Sequence, residues 1–131
     1  MRTLTSYIGK FLLIFTLFSA TSVTNAASQP TGRLIVIRVA NFGWNLAANL
    51  KIDGRTVANI IQGRRYDHPI SAGRHVLTVS VVPNAQLTQP TSITVNVRPG
   101  GTYLFTAVWD SAHVYLQPTT MSPAEMAKMG L

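Results

Sequence analysis

The densest group of side chains that could do chemistry is basic and aromatic. Arg64, Arg65 and Tyr66 are consecutive, and Arg74 follows the small-residue turn 71–73. If the segments on either side of that turn pair as an antiparallel hairpin, the three arginines gather near one edge beside an aromatic ring. Guanidinium groups bind phosphate or carboxylate oxygens through paired hydrogen bonds, so this cluster is a candidate site for an anion or an acidic glycan. The alternative is a solvated edge strand whose charges discourage aggregation.

Aromatic residues raise a second possibility, a surface that stacks on sugar rings or anchors a protein partner. Trp44 lies in a predicted loop that contains asparagine and glycine, which makes it the candidate for an exposed ring. Trp109 ends an apolar segment and is expected in the core. A loop tryptophan can instead plug the open end of a small sandwich, so both interpretations of Trp44 stay open.

Catalytic and metal-binding patterns are weak by comparison. The four acids and three histidines of the chain are Asp53, Asp67, Asp110, Glu125, His68, His75 and His113. Asp53 is explained by a turn and Glu125 by a helix cap. The three histidines lack the spacing of a metal site. Asp110, Ser111 and His113 have the residue types of a hydrolase triad, but side chains within four positions seldom adopt that geometry. We therefore expect no enzyme, no metal site and no cofactor.

Composition limits the classes of partner. The 131 residues include no cysteine, which argues against disulfides, thiolate metal sites and a lipid attached to an N-terminal cysteine. The formal net charge is +7, and Arg2 and Lys10 carry two of those charges, which leaves +5 beyond residue 26. This surplus favours anionic ligands, but it lacks the dense basic runs of a nucleic-acid binder. We expect no nucleic acid among the partners.

The first 26 residues have the three zones of a secretory signal peptide. Basic residues at 2 and 10 accompany an apolar run over residues 11–18, and the small and polar residues 19–26 end at Ala26. A membrane anchor is the alternative, but a span needs about 20 mostly apolar residues and this run is interrupted from Ser19. We expect cleavage after Ala26 and a periplasmic or secreted product, with membrane contact only through an uncleaved signal segment.

Three ranges follow the predicted signal peptide, which covers residues 1–26. Residues 27–32 have no apolar pattern and predict a flexible leader. Residues 33–117 are expected to form the β-sandwich domain, and residues 118–131 a tail with a short helix. Ser122 supplies the helix cap in a sequence typical of a capping box.

Within the predicted domain, hydrophobic periodicity indicates strands. Residues 33–40 are β-branched and almost continuously apolar, which favours a strand packed on both faces, and residues 74–82 alternate between two faces. Asp53-Gly54 and the range 99–101 predict hairpin turns. No β-α-β spacing is present. The predicted fold class is therefore all-β: an antiparallel sandwich of seven to eight strands, Ig-like or prealbumin-like, with a short C-terminal helix.

The segment 50–81 has a particular order of features. A hydrophobic strand leads into the Asp53-Gly54 hairpin, and the run 71–79, which is small, glycine-containing and basic at its start, opens the next strand. This order resembles PEGA-like and prealbumin-like bacterial envelope domains, and the late strand 100–105 resembles that of a related lipoprotein-like bacterial family of unknown function. The resemblance implies a sandwich fold and a location in the cell envelope. Its members often follow a lipid-attachment cysteine, which this chain lacks.

Together these features predict an exported, non-catalytic β-sandwich that serves as a binding or structural module of the cell envelope. The first expected partner is an unknown protein or envelope polymer, contacted through loops and a sheet edge. A carbohydrate- or anion-binding module is the alternative, and a hydrolase is a distant third because no catalytic constellation is visible. The candidate binding residues are Arg64, Arg65, Tyr66, Arg74 and Trp44.

Cleavage of the signal segment can be tested directly. N-terminal sequencing of the protein recovered from the periplasm or medium should begin at or within a few residues of Ala27, because signal peptides end in small residues such as Ala26. A protein that keeps Met1 and sediments with the membrane fraction would contradict cleavage and restore the anchor interpretation.

Overall fold

A computed structural model describes residues 29–39, 45–84, 88–110 and 112–131. The predicted signal peptide and Trp44 lie outside these ranges. Over the described residues the chain forms eight strands and one short helix. In chain order they are β1 (Thr31–Arg38), β2 (Ala47–Ile52), β3 (Arg55–Ile60), β4 (Tyr66–Ser71), β5 (Gly73–Val82), β6 (Thr91–Val97), β7 (Thr102–Trp109), β8 (Val114–Pro118) and α1 (Pro123–Lys128).

The described strands form two four-stranded sheets that share one core. Sheet 1 has the order β4-β1-β7-β8, and sheet 2 has the order β3-β2-β5-β6. This arrangement confirms the predicted all-β sandwich with a short C-terminal helix. Neighbouring strands are antiparallel except β1 and β7, which are parallel, with Arg33 beside Thr102.

The parallel pair corrects the prediction of a wholly antiparallel sandwich. Parallel neighbouring strands need a long crossover connection between them. The sequence has no β-α-β spacing for a helical crossover, so it does not predict parallel strands. In this chain the strands between β1 and β7 provide the crossover, because most of them belong to sheet 2. The prediction considered only a helical crossover and missed a crossover made of strands.

The core lies between the sheets and is built from side chains that alternate along each strand. Leu34 and Val36 of β1, Leu50 of β2, and Leu77 and Val79 of β5 are completely buried there. Burial of each such side chain stabilises the fold by about 1.5–3 kcal/mol relative to an exposed position. The faces of β5 agree with the alternation that the sequence predicts.

Two glycine turns form as the sequence predicts. β2 and β3 pair as a hairpin around Asp53 and Gly54, which have φ values of 52° and 81°. Positive φ at both central residues is the requirement of the turn that matches strand twist in a two-residue hairpin. Gly63, with φ of 76°, lies in the turn between β3 and β4.

The turns before β5 and β7 differ from the prediction. β4 and β5 belong to different sheets, as do β6 and β7, so the ranges 71–73 and 99–101 carry the chain from one sheet to the other. Turn residues determine only the local backbone path. Which sheet the next strand joins depends on the apolar face that it buries, so the expected hairpins at these two places are wrong.

β1 begins at Thr31, inside the range 27–32 that the sequence predicts to be a flexible leader. Gly32 is buried, and a Cβ atom added there would lie 2.7 Å from Cγ1 of Val97 and 2.8 Å from the carbonyl oxygen of Gly101. Gly32 therefore lets β1 approach two other segments closely, which is a recognised use of glycine within a strand. Because glycine is also typical of loops, the sequence does not indicate that β1 begins at Thr31.

The C-terminal tail, residues 119–131, continues from β8 at one edge of sheet 1. The amide of Thr119 donates to a carbonyl oxygen of β7 at 2.9 Å, and its hydroxyl oxygen lies 2.6 Å from that of Thr106. Near the other edge of sheet 1, just before β4, the Arg65 guanidinium donates to the carbonyl oxygens of residues 129–130. The tail therefore has contacts near both edges of sheet 1. Ile35 of β1 is fully buried although it is not part of the core between the sheets.

The short helix α1 has the predicted capping box. The Ser122 hydroxyl accepts a hydrogen bond from the Glu125 amide at 3.2 Å, and the Glu125 carboxylate accepts one from the Ser122 amide at 3.0 Å. Each bond satisfies an amide that the helix itself cannot pair. The cap supports the tail locally, since the residues of α1 bury no side chain completely.

Replacing Gly32 with alanine should lower the free energy of unfolding by about 1–3 kcal/mol, the usual cost of an overpacked position. The new Cβ meets a backbone oxygen that cannot move without disturbing the pairing of β1 with β7. Urea unfolding measures the change. The control is Thr31→Ala at the exposed neighbouring position, which should change stability by less than about 0.5 kcal/mol. Equal stability of the two variants would contradict the close approach at Gly32.

Candidate functional site

Pairing of β4 with β1 brings two of the predicted basic residues beside a third arginine. Val36 lies opposite Tyr66 in antiparallel register, so the residues that precede Tyr66 continue toward the end of β1 at Arg38. A pocket of about 540 Å³ forms where they meet, lined by Ile37, Arg38, Gly63, Arg64, Arg65 and Met129. We refer to it as the arginine pocket.

Arg65 holds the tail against the rest of the protein. Its guanidinium donates to the carbonyl oxygen of Met129 and, at 3.0 Å, to that of Gly130. Guanidinium hydrogen bonds to carbonyl oxygens at the end of a helix also satisfy groups that the helix leaves unpaired. Arg65 is therefore both part of the arginine pocket and a structural residue.

Arg38 is the member of the pocket that sequence interpretation missed. Its Nη1 donates to the carbonyl oxygen of Leu46 at 2.5 Å, which joins the end of β1 to the residue before β2. Desolvation lowers the pKa of Arg38, but a guanidinium stays charged far above neutral pH. Its position at the end of a long apolar strand was the only sequence signal available.

Arg64 is the member that is open to a ligand. It is exposed, and no described residue hydrogen-bonds to its guanidinium. Its backbone amide donates to the carbonyl oxygen of Ile61 at 3.0 Å, which closes the turn that contains Gly63. The backbone is thus held in place while the charged end of the side chain remains available.

Among the described residues, no carboxylate lines the arginine pocket. Asp67 is close in sequence, but it accepts hydrogen bonds from Nε and Nη2 of Arg33 at 2.8 and 2.6 Å. The Arg33 guanidinium holds the pKa of Asp67 below its ordinary value, and the charge of Arg65 lowers it further. Because Asp67 is already paired with Arg33, the pocket keeps an excess of positive charge.

The other predicted site residues do not join this pocket. Arg74 lies on β5 opposite Asn96 of β6, in sheet 2, whereas β4 belongs to sheet 1. The predicted grouping of Arg74 with Arg64 and Arg65 is therefore wrong, because it assumed a hairpin between β4 and β5.

The aromatic candidates have different environments. Tyr66 is half-buried against the core, its ring centroid lies 4.7 Å from that of His68, and burial raises its pKa. Trp109 packs against the core as expected. Trp44 lies outside the described residues, so its role in stacking stays a prediction.

A second polar cluster, which sequence interpretation missed, joins Asp53, Ser71 and His75. Nδ1 of His75 lies 2.6 Å from Oδ2 of Asp53, and Nε2 lies 3.2 Å from the Ser71 hydroxyl and 2.8 Å from the Ser71 carbonyl oxygen. Oδ1 of Asp53 accepts the amide hydrogen of Val76 at 2.8 Å. We refer to this cluster as the histidine clasp, because it links the β2–β3 turn and β5 in sheet 2 to the end of β4 in sheet 1.

The order carboxylate, imidazole and hydroxyl matches a hydrolase triad, but the protonation differs. Nδ1 of His75 faces a carboxylate oxygen and Nε2 faces a carbonyl oxygen, so the protonated ring can donate to both. The hydrogen bond with Asp53 raises the pKa of His75, and the bond from the Val76 amide, followed by that of His75, lowers the pKa of Asp53. When Nε2 donates to the Ser71 carbonyl oxygen it cannot accept the proton of the Ser71 hydroxyl, so this geometry favours a structural role.

Asp110, which the sequence offers as part of a triad, has a structural role. Oδ1 of Asp110 accepts the amide hydrogens of Ala112 and His113 at 3.0 and 2.8 Å, which closes the turn before β8. Ser111 lies outside the described residues. Within the ranges that the structure describes, no three His, Asp or Glu side chains gather closely enough to hold a metal ion.

Comparisons with known proteins assign no family to this chain. It matches no protein-family model, and no curated protein sequence matches it. The resemblance to PEGA-like and prealbumin-like envelope domains therefore stays a prediction. In the described part of the chain, no helix is long and apolar enough to cross a membrane.

The histidine clasp should make stability depend on pH. Because folding raises the pKa of His75, its contribution is complete below the unfolded-state value of about 6.5 and is lost as pH rises through the higher folded-state value. Folding lowers the pKa of Asp53, so its contribution is present above about pH 3.9 and is lost only in stronger acid.

Urea unfolding between pH 5 and pH 9 tests this expectation. The wild type and the control His113→Gln, which alters an exposed histidine, should both lose stability as pH rises above about 6.5. His75→Gln should be less stable than the wild type at pH 5 and should show a flatter profile. An unchanged pH dependence in His75→Gln would contradict a protonated clasp.

Proposed function

We propose that this protein is an exported β-sandwich of the cell envelope that binds an anionic ligand without catalysing a reaction. The observation that carries the proposal is the meeting of three arginines at one pocket that no described carboxylate lines. The exposed guanidinium of Arg64 is the group that would contact the ligand. Arg38 and Arg65 also line the pocket and add to its positive potential.

The chemistry of the arginine pocket suits a phosphate or carboxylate group. A guanidinium presents a planar fork of donors that matches two oxygens of such an anion. Arg38 and Arg65 already hydrogen-bond to backbone oxygens, so binding would cost little further ordering of these two side chains. Ile37 and Met129 add apolar contacts, and a volume of about 540 Å³ is within the range of small-molecule sites.

The proposal that the protein acts in the envelope rests on the sequence. The charged, apolar and small-residue zones of residues 1–26 favour export, and the basic surplus beyond them favours anionic polymers or headgroups. We propose further that the sandwich is Ig-like or prealbumin-like, as the resemblance implies. An envelope module of that class would use its loops and edges for recognition.

The proposal that the protein is not an enzyme rests on the engagement of its acids. Asp53 belongs to the histidine clasp, Asp67 pairs with Arg33, Asp110 closes a turn and Glu125 caps α1. No acid is left in the arginine pocket for general acid or base chemistry. This arrangement favours binding over hydrolysis.

Arg64→Gln tests the anion site. The variant should bind inorganic phosphate and polyphosphate about tenfold more weakly, because a charge-assisted hydrogen bond contributes about 1.5–3 kcal/mol. Added salt should weaken wild-type binding in the same direction, since exposed charges are screened over about 10 Å at 0.1 M. Isothermal titration calorimetry measures both effects.

Arg74→Gln is the matched control, because it removes the same charge from the other sheet. It should leave phosphate affinity almost unchanged, and both variants should unfold within about 0.5 kcal/mol of the wild type. Arg65→Gln, by contrast, should also destabilise the protein, because it releases the tail carbonyl oxygens. If Arg64→Gln and Arg74→Gln weaken binding equally, the affinity comes from overall charge and the arginine pocket is not the site.

A further inference from the structure

β3 is the end strand of sheet 2 and leaves one edge of that sheet open. Among the described strands it pairs only with β2, and most of its residues are exposed. An unpaired edge presents a row of backbone donors and acceptors to which another extended chain can pair. β3 contains no proline to block such pairing.

The other three end strands of the described sheets each have a feature that limits pairing along part of the edge. β4 contains Pro69 and β8 ends at Pro118, and proline removes a backbone donor. β6 is joined to β8 where it begins, because the Thr91 hydroxyl donates to the carbonyl oxygen of Val114 at 2.8 Å. Natural sheets usually protect their edges in such ways, and β3 contains no proline that would do so.

Apolar side chains lie along the same edge. Val57 is 39% exposed and Ile61 is 51% exposed, and they are among the most exposed large apolar residues of the described chain. The register of β3 against β2 shifts between Ala58 and Thr56, so Val57 is the extra residue of a bulge. The regular part of the edge is therefore Ala58–Ile60, followed directly by Ile61.

The charge around this edge is positive at both ends. β3 begins with Arg55, and no acid occurs from there to Arg65. The turn that joins the Arg64 amide to the Ile61 carbonyl oxygen keeps these two residues within about 7 Å of each other. The arginine pocket therefore begins where the open edge ends.

We propose that β3 accepts an extended acidic peptide as an added strand and that an acidic residue of this peptide enters the arginine pocket. Backbone hydrogen bonds along Ala58–Ile60 supply sequence-independent affinity, and Val57 and Ile61 contact apolar side chains of the peptide. This inference rests on the proposed anion site, to which it adds the class of partner.

A second copy of this chain is a poorer occupant than an acidic peptide. In a symmetric dimer the two β3 strands would run antiparallel, so Arg55 of one copy would lie near the arginine pocket of the other. Like charges placed together oppose association, whereas carboxylates of a partner relieve the repulsion. Charge therefore selects an acidic partner.

The probe is a seven-residue peptide of alternating valine and threonine with glutamate at both ends. Amide hydrogen exchange should show new protection within Ala58–Ile60 when it binds, at the amides that point away from β2, because alternate amides of a strand face opposite edges. Two control peptides separate the contributions: one carries lysine in place of glutamate, and one is methylated on alternate backbone nitrogens. Neither control peptide should protect the β3 amides from exchange. The lysine peptide is repelled by the arginines, and the methylated peptide cannot form the backbone hydrogen bonds.

On the protein side, Ile61→Asp places a negative charge between the edge and the pocket and should weaken peptide binding about tenfold. Thr94→Asp is the matched control, because it adds the same charge to an exposed position on β6 at the opposite end of the sheet. Its affinity for the peptide should stay close to that of the wild type. Equal losses in both variants would overturn binding at β3.

Two outcomes distinguish this inference from the proposed function. If phosphate binding depends on Arg64 but the glutamate peptide protects no amide of β3, strand addition is wrong and the anion site stands. If the peptide protects β3 equally well in Arg64→Gln and wild type, the pocket does not take part and the combined site is wrong. Protection that requires both Arg64 and unmethylated peptide nitrogens supports the inference.

Discussion

Burial of β1 on both faces is the constraint on which the rest of the structure depends. Leu34 and Val36 enter the core between the sheets, while Ile35, between them, is covered on the outer side of sheet 1. A strand of this kind must be central, and β4 and β7 pair with its two edges. Since the chain has no cysteine, packing of this kind does the work that disulfides do in many small exported domains.

The arginine pocket is a consequence of how β1 is enclosed. The tail leaves β8 at one edge of sheet 1, and Arg65 beside the other edge holds its far end. Pairing with β4 brings the β3–β4 connection to the end of β1, where Arg38 anchors the chain to Leu46. Two guanidinium groups are thus committed to the architecture and a third, on Arg64, is not. In the anion site proposed above, Arg38 and Arg65 would supply rigidity and Arg64 the unpaired donors.

The sequence predicted local features well and distant pairings poorly. The Asp53-Gly54 hairpin and the Ser122 cap could be predicted because neighbouring residues determine both. Backbone hydrogen bonds are the same for any pair of strands, and the apolar face that selects the sheet depends on distant residues, so the sequence does not show that β4 and β5 join different sheets or that Arg74 lies away from Arg64 and Arg65. Asp53 was assigned to a turn alone, which hid the contact with His75 across 22 positions. For the same reason the pocket could be only half predicted, without Arg38.

The parallel pairing of β1 with β7 sets the order in which the chain can fold. Arg33 lies beside Thr102, about seventy positions further along, so β1 leaves the ribosome long before its partner exists. Contacts between residues so far apart form slowly, because the entropy of closing the intervening loop is lost before the contacts stabilise anything. Sheet 2 can assemble from a nearly continuous stretch of chain, whereas sheet 1 is completed only when β7 is available. During synthesis β1 can pair with β4 first, but its other edge stays unpaired until β7 has been made.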